Sequence, residues 1–141
     1  MSPRSAAAIS AALIALGACG GDGQQGVTCA DVFTTTVKYG GQEVVAGCYF
    51  PGTYAITASI AQSHGTCDAQ FAWQAVSGAA HQCAATLSGD ATRGYDLDFE
   101  RCSLPGSIHV LPDLSAFTGG FRWTVTCGSG TTTFQNMAKS P

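Results

Sequence analysis

Two short spacings in this chain carry residue types that do chemistry, His64-x-x-Cys67 and His81-x-Cys83. Cys and His pairs at such intervals can close a zinc tetrahedron. The same cysteines have a competing use. Apart from Cys19, the chain holds Cys29, Cys48, Cys67, Cys83, Cys102 and Cys127, an even set at steps of 16 to 25 residues. In an oxidising compartment such a set reads as three disulfides, and a bridged sulfur is no longer a thiolate ligand. No metal site and no cofactor are therefore expected. A small metal-binding protein or an enzyme using His64, His81 or His109 is the alternative.

The remaining constellations are weaker. Asp96, Asp98 and Glu100 alternate along one stretch, but the glycine and distal Glu of a calcium-binding loop are missing. Carboxylates at i and i+2 on a strand stand about 6.6 Å apart, so the bland reading is a solvated acidic face. Ser63, His64 and Asp68 are near one another in sequence, whereas catalytic triads are assembled in space from distant segments. No Gly-x-Ser-x-Gly or His-Glu-x-x-His pattern is present. No catalytic residue is assigned. Trp73, Trp123, Tyr39, Tyr49, Tyr54 and Tyr95 could form an aromatic binding platform, although alternating strand positions favour the core. The polar connections 61–66 and 112–119 are the expected places for binding residues, because such residues tend to sit on loops over a rigid scaffold.

Charged residues make up 11% of the chain, against a usual share of about 25%. The basic residues after Arg4 (Lys38, Arg93, Arg101, Arg122 and Lys139) are scattered. Nucleic-acid binding requires clustered Lys and Arg, so it is excluded as an expectation.

Residues 1–5 carry one positive charge, Arg4, and Ala6 to Ala18 form an apolar run of 13 residues. That is the anatomy of an export signal, and the run is shorter than the roughly 20 residues a spanning helix needs. It ends Leu16-Gly17-Ala18-Cys19. This segment resembles the lipobox of bacterial lipoproteins. The resemblance implies that Cys19 receives diacylglycerol and becomes the first residue after cleavage, and that Gly20, in a cell with two membranes, directs the product to the outer membrane. Gly20 to Gly26 then form a polar tether spanning roughly 15 Å as a random coil. The expected organisation is a signal over 1–18, a lipidated cysteine and tether over 19–27, and one extracytoplasmic domain over 28–141.

From Thr28 onward the elements that must position these residues follow a period of two. Tyr95, Leu97 and Phe99 alternate with Asp96, Asp98 and Glu100, and Phe121, Trp123, Val125 and Cys127 alternate with polar residues. Further strands are expected over 32–38, 42–50, 53–60, 70–76, 80–87, 107–111 and 131–134. The fold class is therefore all-β, a disulfide-stapled antiparallel sandwich or barrel of about 8–9 strands. A short helix near 69–76, capped by Asp68, is the competing reading of that segment.

The sequence does not choose among the 15 ways of pairing six cysteines. Sequential pairing is the simplest. It conflicts with a tight hairpin about Ser77-Gly78, which places Cys67 about 17 Å along the strand from the point opposite Cys83. Either that hairpin is wrong or Cys67 and Cys83 pair elsewhere.

The functional expectation is a non-enzymatic domain, tethered to the membrane through Cys19, that binds an envelope or extracellular protein or glycan. Acyl anchoring by several chains is stable where a single chain is marginal. Cys19→Ser is expected to move the protein from the membrane fraction to the soluble fraction; a variant that stays firmly with membranes overturns the anchor.

Overall fold

The computed structural model describes residues 26–73, 80–102 and 104–141. The signal, Cys19 and most of the tether lie outside them. A one-turn helix α1 (Cys29–Val32) precedes β1 (Val37–Ala46), β2 (Gly52–Ser63), β3 (Thr66–Trp73), β4 (Ala80–Asp90), β5 (Gly94–Arg101), β6 (Gly106–Val110), β7 (Ala116–Val125) and β8 (Gly128–Lys139). Every strand pairs antiparallel with its sequence neighbours, and β8 returns to pair with β1. The sheet is a closed eight-stranded barrel.

Alternation along each strand sets what faces inward. On β1 the inward set includes Val37, Tyr39 and Glu43, on β2 Ile56, Ala58 and Ile60, and on β3 Cys67, Ala69 and Phe71, all buried. Their neighbours Lys38, Gln42, Thr57 and Gln70 are exposed. A membrane-spanning barrel shows the opposite arrangement, with an apolar band outward. This wall suits water.

An eight-stranded barrel encloses a space just wide enough to be filled by side chains or to hold one small ligand. Here a ring cluster fills its middle. Phe71 stacks on Phe134 at 5.0 Å between centroids, although β3 and β8 are not neighbours, so the contact crosses the lumen. The edges and faces of Phe121, Phe99 and Phe117 close around Phe71 at 5.3, 5.7 and 6.5 Å. Near-perpendicular aromatic pairs at this range are favourable beyond the area they bury.

One end of the barrel is plugged. Thr28 caps α1 and Asp31 reaches back to the Thr28 N–H, a reciprocal capping box. These bonds also lower the Asp31 pKa, first through the Thr28 hydroxyl and then through its N–H. Phe33, behind the helix, is 1% exposed, and the Cys29–Cys67 disulfide ties α1 to the start of β3. Tyr39 donates its hydroxyl to the Leu114 carbonyl at 3.0 Å, pinning the β6–β7 loop at this end. Burial, and secondarily Asp113, raise its pKa to about 12. At the opposite end Cys48–Cys127 joins the β1–β2 and β7–β8 turns, and Cys83–Cys102 joins β4 to the end of β5.

Several sequence expectations are corrected. The stretches 32–38 and 42–50 are not two strands: α1 ends at Val32, and one strand, β1, runs from Val37 through Gly40 and Gly41 to Ala46. The strand survives those glycines because a bulge on β8 lies against them. A Cβ on Gly41 would sit 2.7 Å from the Asn136 carbonyl oxygen. Gly119-Gly120 and Gly128-Ser129-Gly130, clusters of the kind that punctuate strands in a sequence, lie within β7 and β8. The helix alternative fails over 69–73, where Cys67, Ala69 and Phe71 are all buried in the strand pattern and Asp68 accepts from Gln82 Nε2 across β4; residues 74–76 lie outside the described set. Sequential disulfide pairing is wrong throughout. Cys83 stands opposite Ala69 and Cys67 opposite Ala85, and both bond elsewhere.

Removing the central ring should be the costliest single truncation of the lumen. Phe71→Ala is expected to lose about 3–5 kcal/mol in urea unfolding, while outward-facing Gln70→Ala should change stability by less than about 0.5 kcal/mol. Equal effects would contradict the crossing contact.

Candidate functional site

Above the ring cluster, at the end opposite α1, the described residues leave open space. A cavity of about 400 Å³ opens there. Alternation on β1 points Glu43 and Val45 into it, and β2 adds Tyr54. His81 enters from β4, Trp123 and Val125 from β7, and Thr132 from β8, while Tyr49, Phe50 and Leu104 come from the turns. Its base is the aromatic layer: Glu43 is paired in register with Phe134, Thr132 with Phe121, and the His81 ring lies 6.4 Å from that of Phe121.

The mouth is walled by rings that the turn holds outward. Tyr49 and Phe50 are 55% and 67% exposed, unusual for aromatic side chains of this size. Their rings meet edge to face at 4.6 Å, and Tyr49 reaches Trp123 at 6.4 Å. Phe50 adopts a positive φ of 46°, a conformation that costs a bulky residue and persists only when its surroundings enforce it. Two restraints do so. Tyr54 donates its hydroxyl to the Phe50 carbonyl at 2.9 Å, and Cys48–Cys127 holds the turn with a Cα–Cα distance of 6.0 Å. Gly130 leaves room for the Trp123 indole, which any Cβ there would overlap.

Polar groups are few. Glu43 is 2% exposed, the one carboxylate among the buried side chains described. Desolvation lowers the His81 pKa below its ordinary value of 6.5, favouring neutral imidazole. Each makes a contact of its own inside the protein. Among the described residues, no lysine or arginine lines the cavity.

The structure separates the histidines singled out by sequence. His64 lies at the β2–β3 turn of the plugged end, beside Ser63 Oγ at 3.2 Å, while Asp68 bonds to Gln82 instead of completing that trio. His81 is in the mouth. His109 sits on the outer wall, its Nδ1 2.8 Å from Asp96 Oδ1 on the adjacent strand. Cys67 and Cys83, the thiols of the zinc reading, are both in disulfides. Among the described residues no three His, Cys, Asp or Glu side chains converge on a metal position. Asp96 and Asp98 are exposed on the face of β5 away from the lumen. The six aromatic residues divide: Tyr39, Tyr95 and Trp123 are buried, Tyr49 and Tyr54 stand at the mouth, and the Trp73 side chain lies outside the described set.

The connections 61–66 and 112–119 belong to the plugged end and do not touch the cavity. Glu43 was not singled out, yet a signal for it existed. The inward series Val37, Tyr39, Gly41, Glu43, Val45 places an acid on an otherwise apolar face.

Fold and site together define a class: a small disulfide-bridged closed barrel, plugged at one end and open at an aromatic mouth. The chain matches no known family model, no curated protein and no solved structure.

His81 makes the barrel sensitive to acid. With its folded pKa below 6.5 the unfolded chain binds more protons, so stability is complete at neutral pH and is lost as pH falls through the unfolded value of about 6.5. The lowered carboxyl groups of Asp31, Asp90 and Asp113 act only nearer their ordinary value of 3.8. Urea midpoints measured from pH 7.5 to 5 should decline for the native chain and decline less for His81→Gln; parallel curves would remove His81 from this role.

Proposed function

We propose that this chain is an exported, non-enzymatic binding module of the cell envelope, held by a lipid at Cys19, which takes a small apolar ligand in the mouth of its barrel. The cavity carries this reading. Its volume of about 400 Å³ falls within the range of small-molecule sites, roughly 300–1,000 Å³. Its lining follows their usual composition, aromatic and aliphatic walls with a few polar groups at the base.

The disulfides are consistent with an extracytoplasmic location. They also suit the work, since a rigid, pre-formed mouth spends less free energy on ordering when a ligand enters. The chain enters the domain at the plugged end, where Val27 packs on the core and Cys29 is bridged to Cys67. A tether from Cys19 therefore approaches the face opposite the mouth, and an anchored domain presents its cavity away from the bilayer. In a cell with two membranes, the lipobox resemblance favours the outer one.

N-phenyl-1-naphthylamine, a neutral apolar dye whose emission rises in dry sites, is the direct probe. Saturable binding of one dye per chain is expected, and Val125→Asp, at a rim position already 38% exposed, should weaken it about tenfold or more without lowering the unfolding midpoint. Absence of saturable binding, or binding unaffected by Val125→Asp, would overturn the reading.

A further inference from the structure

The three bridges differ in what a reagent in solution can reach. Cys29 and Cys67 are 2% and 0% exposed, and Cys83 is 0% exposed with its partner Cys102 half-buried. Cys48 and Cys127 are both exposed. A Cβ placed on Gly128 would find, among the described residues, a single atom within 4 Å, the Cys48 Sγ at 3.8 Å, so the space beside this bridge is open. Neither cysteine belongs to the strand pairing: β1 ends at Ala46, β2 begins at Gly52, and Cys127 lies between the paired Val125 and Gly128. Cleaving the bond therefore removes no backbone pair.

We propose that Cys48–Cys127 is a redox-labile bridge, opened by thiol–disulfide exchange with a dithiol, and that its opening releases the ligand from the mouth. The second half rests on the apolar-cavity reading above; the first does not. A thiolate of the dithiol attacks one sulfur of the bridge and displaces the other, which takes up a proton; the second sulfur of the dithiol then displaces the first from the mixed disulfide. The bridge gains two electrons and two protons and becomes two thiols, while the dithiol is oxidised to a disulfide. Access decides which bridge reacts, and exposed disulfides are the labile ones. This bridge fixes the turn carrying Tyr49 and Phe50 to the hairpin carrying Trp123 and Val125. Burial holds the two turn rings weakly, because they remain 55% and 67% exposed. Phe50, at a φ of 46°, keeps that conformation only while its surroundings enforce it. With the bond cut, the hydrogen bond from Tyr54 and the ring contact between Tyr49 and Trp123 are left to hold the rim. Two cavity walls are then free to move, and an entering ligand must order them.

Limited reduction of the native chain with dithiothreitol tests both halves, with alkylation and peptide mass mapping run beside the fluorescence of bound N-phenyl-1-naphthylamine. Cys48 and Cys127 are expected to be labelled first, about tenfold or more faster than the other four bridged cysteines. Dye affinity should fall about tenfold as those labels appear, with far-ultraviolet circular dichroism unchanged. The double variant Cys48→Ser, Cys127→Ser should bind the dye as weakly as the reduced protein and lose nothing further on adding dithiol; the time course on the native chain decides the matter even if that variant does not fold. Absence of early labelling at Cys48 and Cys127, or loss of secondary structure with the first label, would overturn the labile bridge. Early labelling there with dye affinity unchanged would overturn the gating and leave the cavity standing. A native chain that never binds the dye would overturn the cavity reading and the gating with it, while the order of labelling still decides the bridge.

Discussion

Phe71 reaching across the lumen to Phe134 is the contact on which the rest of this barrel depends. Closing eight strands creates an interior that adjacent-strand contacts alone cannot fill, because side chains on neighbouring strands point in parallel toward the axis. A ring long enough to meet the opposite wall solves this, and the near-perpendicular rings of Phe99, Phe117 and Phe121 lock it from the sides. The cluster also divides the lumen. Below it the space narrows onto Tyr39, α1 and Phe33; above it the described residues leave a cavity of about 400 Å³.

The disulfides reinforce that division. Cys67 and Cys83 occupy inward positions at 0% exposure, so two of the bridges take the place of aliphatic core residues. Cys29–Cys67 fastens the plug. Cys48–Cys127 closes the longest span, 79 residues, and in the chain-entropy picture the longest loop gives the largest stabilisation, about 4.5 kcal/mol against about 3 kcal/mol for the 19-residue span of Cys83–Cys102. That bridge stands at the mouth, where packing contributes least. A covalent link there supplies what a filled core supplies elsewhere, and it does so without occupying the cavity.

Period-two alternation made β5, β6 and the inward residues of β7 legible, and cysteine parity made three bridges legible, because both signals are local or countable. Closure was not. Whether β8 returns to β1 is decided by pairings such as Val44 with Thr133, almost the whole domain apart in sequence. The glycines of β1 and β7 misled for a related reason. Gly40-Gly41 and Gly119-Gly120 look like turns along the chain, but they accommodate close approach of a neighbouring strand, a demand visible only in the pairing. The site was half legible: Tyr49, Tyr54, Trp123 and His81 were marked as candidates, but nothing local revealed that they meet. Glu43 showed its place only once the register of β1 was known.

The placement of polarity explains why these features belong together. Charged residues are only 11% of the chain, and those described on the outer wall are spread over several strands. The concentrated chemistry lies instead at one end, where exposed rings surround a buried acid. Exposing Tyr49 and Phe50 to water is unfavourable for a free barrel, and holding Phe50 at positive φ adds to that cost. Folding alone does not select such a rim. The bond from Tyr54 and the bridge at Cys48 hold it open in advance, which is the arrangement expected when the missing apolar contact comes from outside the chain.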